Sequence, residues 1–258
     1  MTEETVPAPA PAPPPAPARP PSPARDIVWA LISTALLAGW IGLNMGWLAA
    51  VALVFGVFVH EFGHVLAINA LGCGPGRMQI VPFLGGAAYP ARLPDTEFKG
   101  VLIALAGPVF GLVALSPFLV AFAATGQERW LGAAFLIAVI NLINLAPAPP
   151  LDGSKAFGPA LARIHPALER AALLVVGGLA VFWAVTRGSW IFAVFVGLGV
   201  LGALQRGRLR PWTRELTGAE WAGAVLLYAG SVALCLAAVA FTADPAVLGG
   251  LRRLTGLR

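Results

Sequence analysis

Residues 47–71 read WLAAVALVFGVFVHEFGHVLAINAL. The stretch is long enough for a helix to cross a bilayer, which takes about 20 predominantly apolar residues. Its only ionisable side chains are His60, Glu61 and His64. A charge at membrane depth costs several kcal/mol, about 2.5–3.5 on the insertion scale, so an ionisable group there is read as functional by default. On a helix, residues four apart stack on one face, about 6 Å apart along the axis. His60 and His64 therefore present two imidazoles to one point, close enough for both to reach a zinc ion at about 2.0–2.1 Å. Glu61 lies about 100° round the helix, beside that point, where a base can take a proton from metal-activated water. Chance would produce this HExxH pattern roughly 0.001 times in a chain of this composition.

The rest of the chain has the same character. Of 258 residues, 58% are hydrophobic and 11% charged, and the mean hydropathy is +0.81. A soluble domain carries roughly 25% charged residues, so the fold expected is an α-helical polytopic membrane protein. Two cysteines, Cys73 and Cys235, exclude a disulfide scaffold. The net charge of +5 does not imply nucleic acid, because basic residues sit at the ends of apolar runs, where they orient a membrane protein. Such runs lie at about 27–43, 47–71, 100–124, 130–147, 171–186, 189–204 and 221–241. They predict six or seven transmembrane helices; the fifth and sixth runs, separated by Arg187-Gly188, are short and could be a tight helical hairpin or half-spans. With the N-terminus cytoplasmic, 12 of the 17 basic residues fall inside, although the basic end at 251–258 then lies outside unless the last segment does not fully cross.

Residues 1–25 hold ten prolines and six alanines and are expected to form a disordered, partly polyproline-II tail. Residues 26–258 form the membrane-embedded part, with a core at about 47–158 and accessory spans at 27–43 and 171–241. Between the second and third runs, 78–84 reads as a short strand, Gly85-Gly86 as a turn and 87–90 as a return. This short membrane-associated β-hairpin is too apolar for a freely solvated loop.

Two histidines leave a zinc site incomplete, since catalytic zinc takes three protein ligands and one open position. Candidates for the third are His165, in a polar loop, Cys73, beyond the helix end, and Asp152. Asp152 is favoured: it closes an apolar segment and precedes Gly153, which permits a tight turn. Just before it, Pro147, Pro149 and Pro150 break the helix. Irregular backbone at membrane depth persists only where protein or a watery cavity covers it, so this stretch is expected to line the site. Asn144 would either donate its amide to a developing oxyanion or satisfy carbonyls freed by the prolines.

Residues 144–153 read NLAPAPPLDG. Together with HExxH, this resembles the site-2 protease family of intramembrane zinc metalloproteases over roughly residues 47–158. Gly85-Gly86, Ala106-Gly107-Pro108 and Lys155 are also similar. The chain departs from the family at Gly111, where an Asn is common, so any hydrogen bond from that Asn must be absent or replaced. The resemblance implies His60, His64 and Asp152 as ligands of one Zn2+, Glu61 as general base and Asn144 near the scissile carbonyl. It implies cleavage of a membrane-protein substrate, with the centre toward the cytoplasmic side of a bacterial or archaeal plasma membrane.

A transmembrane helix hides its carbonyls in its own hydrogen bonds and must open locally to be cut. The Gln79–Tyr89 segment could add the opened stretch as a further strand, a binding mode that depends on main-chain bonds. The expected substrate is a single-span protein, cut where its helix carries weak helix formers. Other catalytic classes fit worse: there is no Gly-x-Ser-x-Gly, and only one aspartate lies within an apolar run. A metal-binding membrane transporter or an inactive scaffold of the same fold are the alternatives.

Overall fold

The computed structural model describes residues 23–81, 85–205 and 214–243. Most of the Pro/Ala-rich tail, the hairpin tip and the basic C-terminal stretch lie outside the described residues. The chain forms nine helices and one small sheet among the described residues. In order these are α1 (Pro23–Met45), α2 (Trp47–Ala70), β1 (Arg77–Val81), β2 (Gly85–Tyr89) and α3 (Glu97–Val113). Then follow α4 (Ser116–Thr125), α5 (Glu128–Asn144), α6 (Asp152–Ile164), α7 (Pro166–Thr186), α8 (Trp190–Gln205) and α9 (Gly218–Ala243).

Every apolar run recognised in the sequence is helical. Among the described residues, four helices are long and apolar enough to cross a membrane: α2, α3 continued by α4 as Glu97–Thr125, α7 and α9. That is fewer than the six or seven expected. α5 has 17 residues and α8 has 16, and these two would need help from neighbours or a thinned bilayer to span it. Outward-facing Leu36, Leu43, Val120, Leu179, Phe182 and Leu226 are more than half exposed, which suits contact with lipid.

Local chemistry sets the element ends. Gly46, at φ 92°, separates α1 from α2 in a conformation that disfavours a side chain. The Thr96 hydroxyl caps α3 by accepting from the Lys99 N–H at 3.2 Å. Leu115 and Pro117, at the start of α4, break the third apolar run into two helices. Pro166 opens α7, and His165 caps it, its Nδ1 accepting from the Ala167 N–H at 3.1 Å. His165 is exposed and engaged there, which places it outside the metal cluster described below.

The hairpin is present with a corrected register. β1 and β2 pair antiparallel, with Val81 opposite Gly85 and Ile80 opposite Gly86. Gly85-Gly86 thus open the second strand instead of forming the turn. Paired glycines are the usual hairpin signal, so local chemistry alone places the turn at them. The small size of Gly86 serves a different need, since it lies against a side chain of α2.

α2 and α3 form the central pair, approaching closely where Gly63 meets the Ala106 carbonyl and Phe110. A Cβ at 63 would lie 2.6 Å from that carbonyl oxygen. Gly56 similarly admits Ile137 of α5. Small residues at crossings are how membrane helices gain van der Waals packing when lipid removes the hydrophobic drive.

α9 packs on α3, α5 and α6. Its N-terminal approach is latched to the start of α3. Glu97 N–H donates to Arg214 C=O and Arg214 N–H to Asp95 C=O, both at 2.9 Å, and Leu216 N–H donates to the Glu97 carboxylate at 3.2 Å. Arg214 grips Glu220 with two nitrogens at 2.7 and 3.0 Å, and this bond raises the Arg214 pKa. The Lys99 ammonium bonded to Asp95 holds that carboxyl below its usual range.

Candidate metal centre

His60, Glu61 and His64 lie on the buried face of α2, at 4%, 5% and 5% exposure. Asp152 is the first residue of α6 and is 8% exposed. The fold brings it across from a separate element to the histidine pair. His60 Nε2 lies 3.0 Å and His64 Nε2 3.1 Å from Asp152 Oδ2, and the two Nε2 atoms are 3.2 Å apart. Among the described residues this is the one group of three or more His, Cys, Asp or Glu side chains able to hold a metal ion. Cys73 is buried but outside it.

The other ring nitrogens decide the chemistry. His64 Nδ1 lies 2.7 Å from the Ile103 carbonyl of α3, an acceptor only, so Nδ1 carries a proton. His60 Nδ1 lies 2.8 Å from Asn141 Oδ1. Asn141 is oriented in turn: its Nδ2 donates to the Ile137 carbonyl at 2.8 Å, leaving Oδ1 toward the ring. In the neutral imidazoles both Nε2 atoms are then bare acceptors. Two lone pairs and a carboxylate oxygen converge within hydrogen-bond distance, an arrangement that calls for a cation among them. Protonated Nδ1 atoms held by carbonyl-type acceptors are the usual outer partners of metal-bound histidine.

The space is kept open by α3. A Cβ at Gly107 would lie 2.3 Å from His64 Nε2 and 2.7 Å from His60 Nε2. Gly111, one turn further, leaves room for Asn141: a Cβ there would lie 1.9 Å from its Oδ1. The place left bare by Gly111 on α3 is thus filled by a buried amide from α5. Replacing Asn141 by Leu should lower zinc affinity about 10–100-fold, the range for loss of an outer hydrogen bond to a ligand. Competition with a chromogenic chelator measures this, and unchanged affinity would show that His60 is oriented without it.

Among the described residues, Glu61 Oε2 is buried without a hydrogen-bond partner. Gly86 of β2 rests against this side chain, since a Cβ at 86 would lie 2.2 Å from Glu61 Cγ. The glycine read as a turn former is therefore required by close approach. Lys155 Nζ is 3.8 Å from Asp152 Oδ1, the oxygen turned away from the histidines, and is largely exposed.

Asn144 ends α5, and its Nδ2 donates to the Ile140 carbonyl one turn back, at 3.0 Å. The structure gives its amide this helix-end role and brings Asn141, not Asn144, into contact with a histidine. Nδ2 carries a second N–H beyond that bond, and it is this one that an oxyanion role for Asn144 would use. In that case Asn144→Ala lowers kcat roughly 10²–10³-fold with zinc retained. Activity per folded molecule that stays at the wild-type level assigns Asn144 to the helix end alone.

Gly153 also owes its identity to packing. It is not among the positive-φ glycines; it is helical, and a Cβ there would lie 2.0 Å from the Leu145 carbonyl oxygen. Comparisons with protein-family models, with curated proteins and with solved structures return no match for this chain.

Proposed function

We propose that the chain is an intramembrane zinc metalloprotease that hydrolyses a peptide bond in or near the transmembrane helix of a single-span membrane protein. The observation that carries this reading is the meeting of two bare Nε2 atoms and the Asp152 carboxylate beside Glu61, whose buried Oε2 has no hydrogen-bond partner among the described residues. His60, His64 and Asp152 would hold one Zn2+, a donor set of two imidazoles and one carboxylate that suits catalytic zinc and leaves a position open. When bound, zinc supplies Lewis acidity that activates water and polarises a carbonyl. Glu61 takes the proton from the attacking water and passes it to the leaving amine. His64 and His60 are kept in the required tautomer by Ile103 and Asn141.

Burial of the whole cluster supports chemistry away from bulk water. The hairpin, resting on Glu61 through Gly86, would take the opened substrate as an added strand. The centre would lie toward the cytoplasmic side, in line with the distribution of basic residues.

The test is reconstitution in liposomes with single-span substrates, one with a stable helix and one loosened by Gly-Pro. Zinc-loaded protein should cut both and prefer the loosened one, and a chelator should abolish cleavage until zinc is restored. Zinc moved across the liposome with no cleavage would make the chain a transporter. A chain that holds zinc but neither cuts nor transports would be an inactive scaffold. A Val81→Pro variant that cuts both substrates normally would remove the hairpin from substrate binding.

A further inference from the structure

Asp152 is the one proposed ligand that does not lie on α2, so its distance from the histidines depends on how the α5–α6 break is docked. That break carries Pro147, Pro149 and Pro150, which have no N–H to tie it down. One side chain from the last described helix touches both ends of it. The Tyr228 hydroxyl of α9 donates to the Leu145 carbonyl at 2.7 Å. Leu145 caps the C-terminus of α5 and is 1% exposed, and its carbonyl is among the last four of that helix, which lack intrahelical partners. The same carbonyl is the surface on which Gly153 rests, next to Asp152. The Tyr228 ring stacks on Phe157 of α6, with centroids 4.5 Å apart and planes 11° from parallel. A single residue therefore holds the end of one helix by its hydroxyl and the second turn of the next by its ring.

We propose that Tyr228 is a positioning residue for the metal site, setting Asp152 against His60 and His64 without touching any of the three. This rests on the reading of the cluster as a metal centre. It makes α9 part of the site, fastened by the Arg214 latch and by Trp221 Nε1, which donates to the Ala160 carbonyl of α6 at 3.0 Å. Without the hydroxyl, the Leu145 carbonyl is left buried and unpaired. Gly153 and Asp152 then rest on a surface free to shift.

Tyr228→Phe removes the hydroxyl and keeps the stack. Zinc affinity by chelator competition and the visible spectrum of the cobalt-substituted protein read the site directly. Affinity should fall about 10-fold or more, within the range of outer-shell changes, and the cobalt bands should shift. Phe157→Leu, which loosens the ring contact and leaves the hydroxyl, should change both readouts in the same direction and less. A Tyr228→Phe protein that melts earlier but keeps wild-type affinity and cobalt spectrum would make Tyr228 merely structural and overturn the proposal alone. Wild-type protein that binds neither metal would overturn the metal centre with it.

Discussion

Glu61→Gln is expected to lose cleavage by about 10²-fold or more and to keep its zinc. The substitution isolates proton transfer because the site admits no change in shape. Gly86 packs so closely on the Glu61 side chain that a single added carbon at 86 would overlap it. Gln has the same length and breadth as Glu and fits beneath the strand. It cannot take a proton from water. Glu61 does not stand among the atoms that face one another at Asp152, so the metal should be undisturbed. Metal content and turnover should therefore separate cleanly. Turnover near the wild-type level with zinc bound would sink Glu61 as base. Loss of both together would mean that Glu61 helps to hold the metal.

How much of this site the sequence reveals depends on the kind of signal each residue gives. His60, Glu61 and His64 are legible because helix geometry makes a four-residue spacing a statement about one face. Asp152 is legible because it is an acid at the end of an apolar run. Asn141 is harder to read. It gives a signal, a buried amide within the apolar run 130–147, but attention to ionisable groups alone misses a neutral one. The carbonyl of Ile103 gives none, since any residue type supplies a carbonyl. Gly107 and Gly111 are opaque for a related reason: a glycine needed for what stands opposite looks like any other until the partner helix is in place. Gly86 is opaque on the same account: local turn chemistry predicts a bend there, and its close packing on Glu61 shows only in the fold. The helices themselves follow from hydropathy, and α8 is as short as its run 189–204 already is, whereas α5 ends at Asn144, before the run 130–147 does.

Asp152→Ala is expected to reduce bound zinc from about one per chain, the number one such site takes, to a trace. The loss should exceed the roughly 10–100-fold of an outer-shell change. What Asp152 contributes to the fold is small by comparison. Its ion pair with Lys155 is long, at 3.8 Å, and Lys155 is largely solvent-exposed, where such pairs are worth little. Its position in the first turn of α6 favours a carboxylate through the helix dipole by about 0.3–1 kcal/mol. The neighbouring packing of Gly153 on Leu145 and of Phe157 on Tyr228 does not involve the Asp152 side chain. Without it, one imidazole can take a second proton and donate from Nε2 to the other ring across the 3.2 Å gap, so the pair need not be left as two facing lone pairs. The variant should therefore fold, melt close to the wild-type apo protein and fail to hold zinc. Asp152→Asn, which keeps the volume and removes the charge, should behave in the same way if charge is what the ion requires. Full zinc content in the Ala variant would strike Asp152 from the ligands and send the search for the third donor to the hairpin side of the histidines.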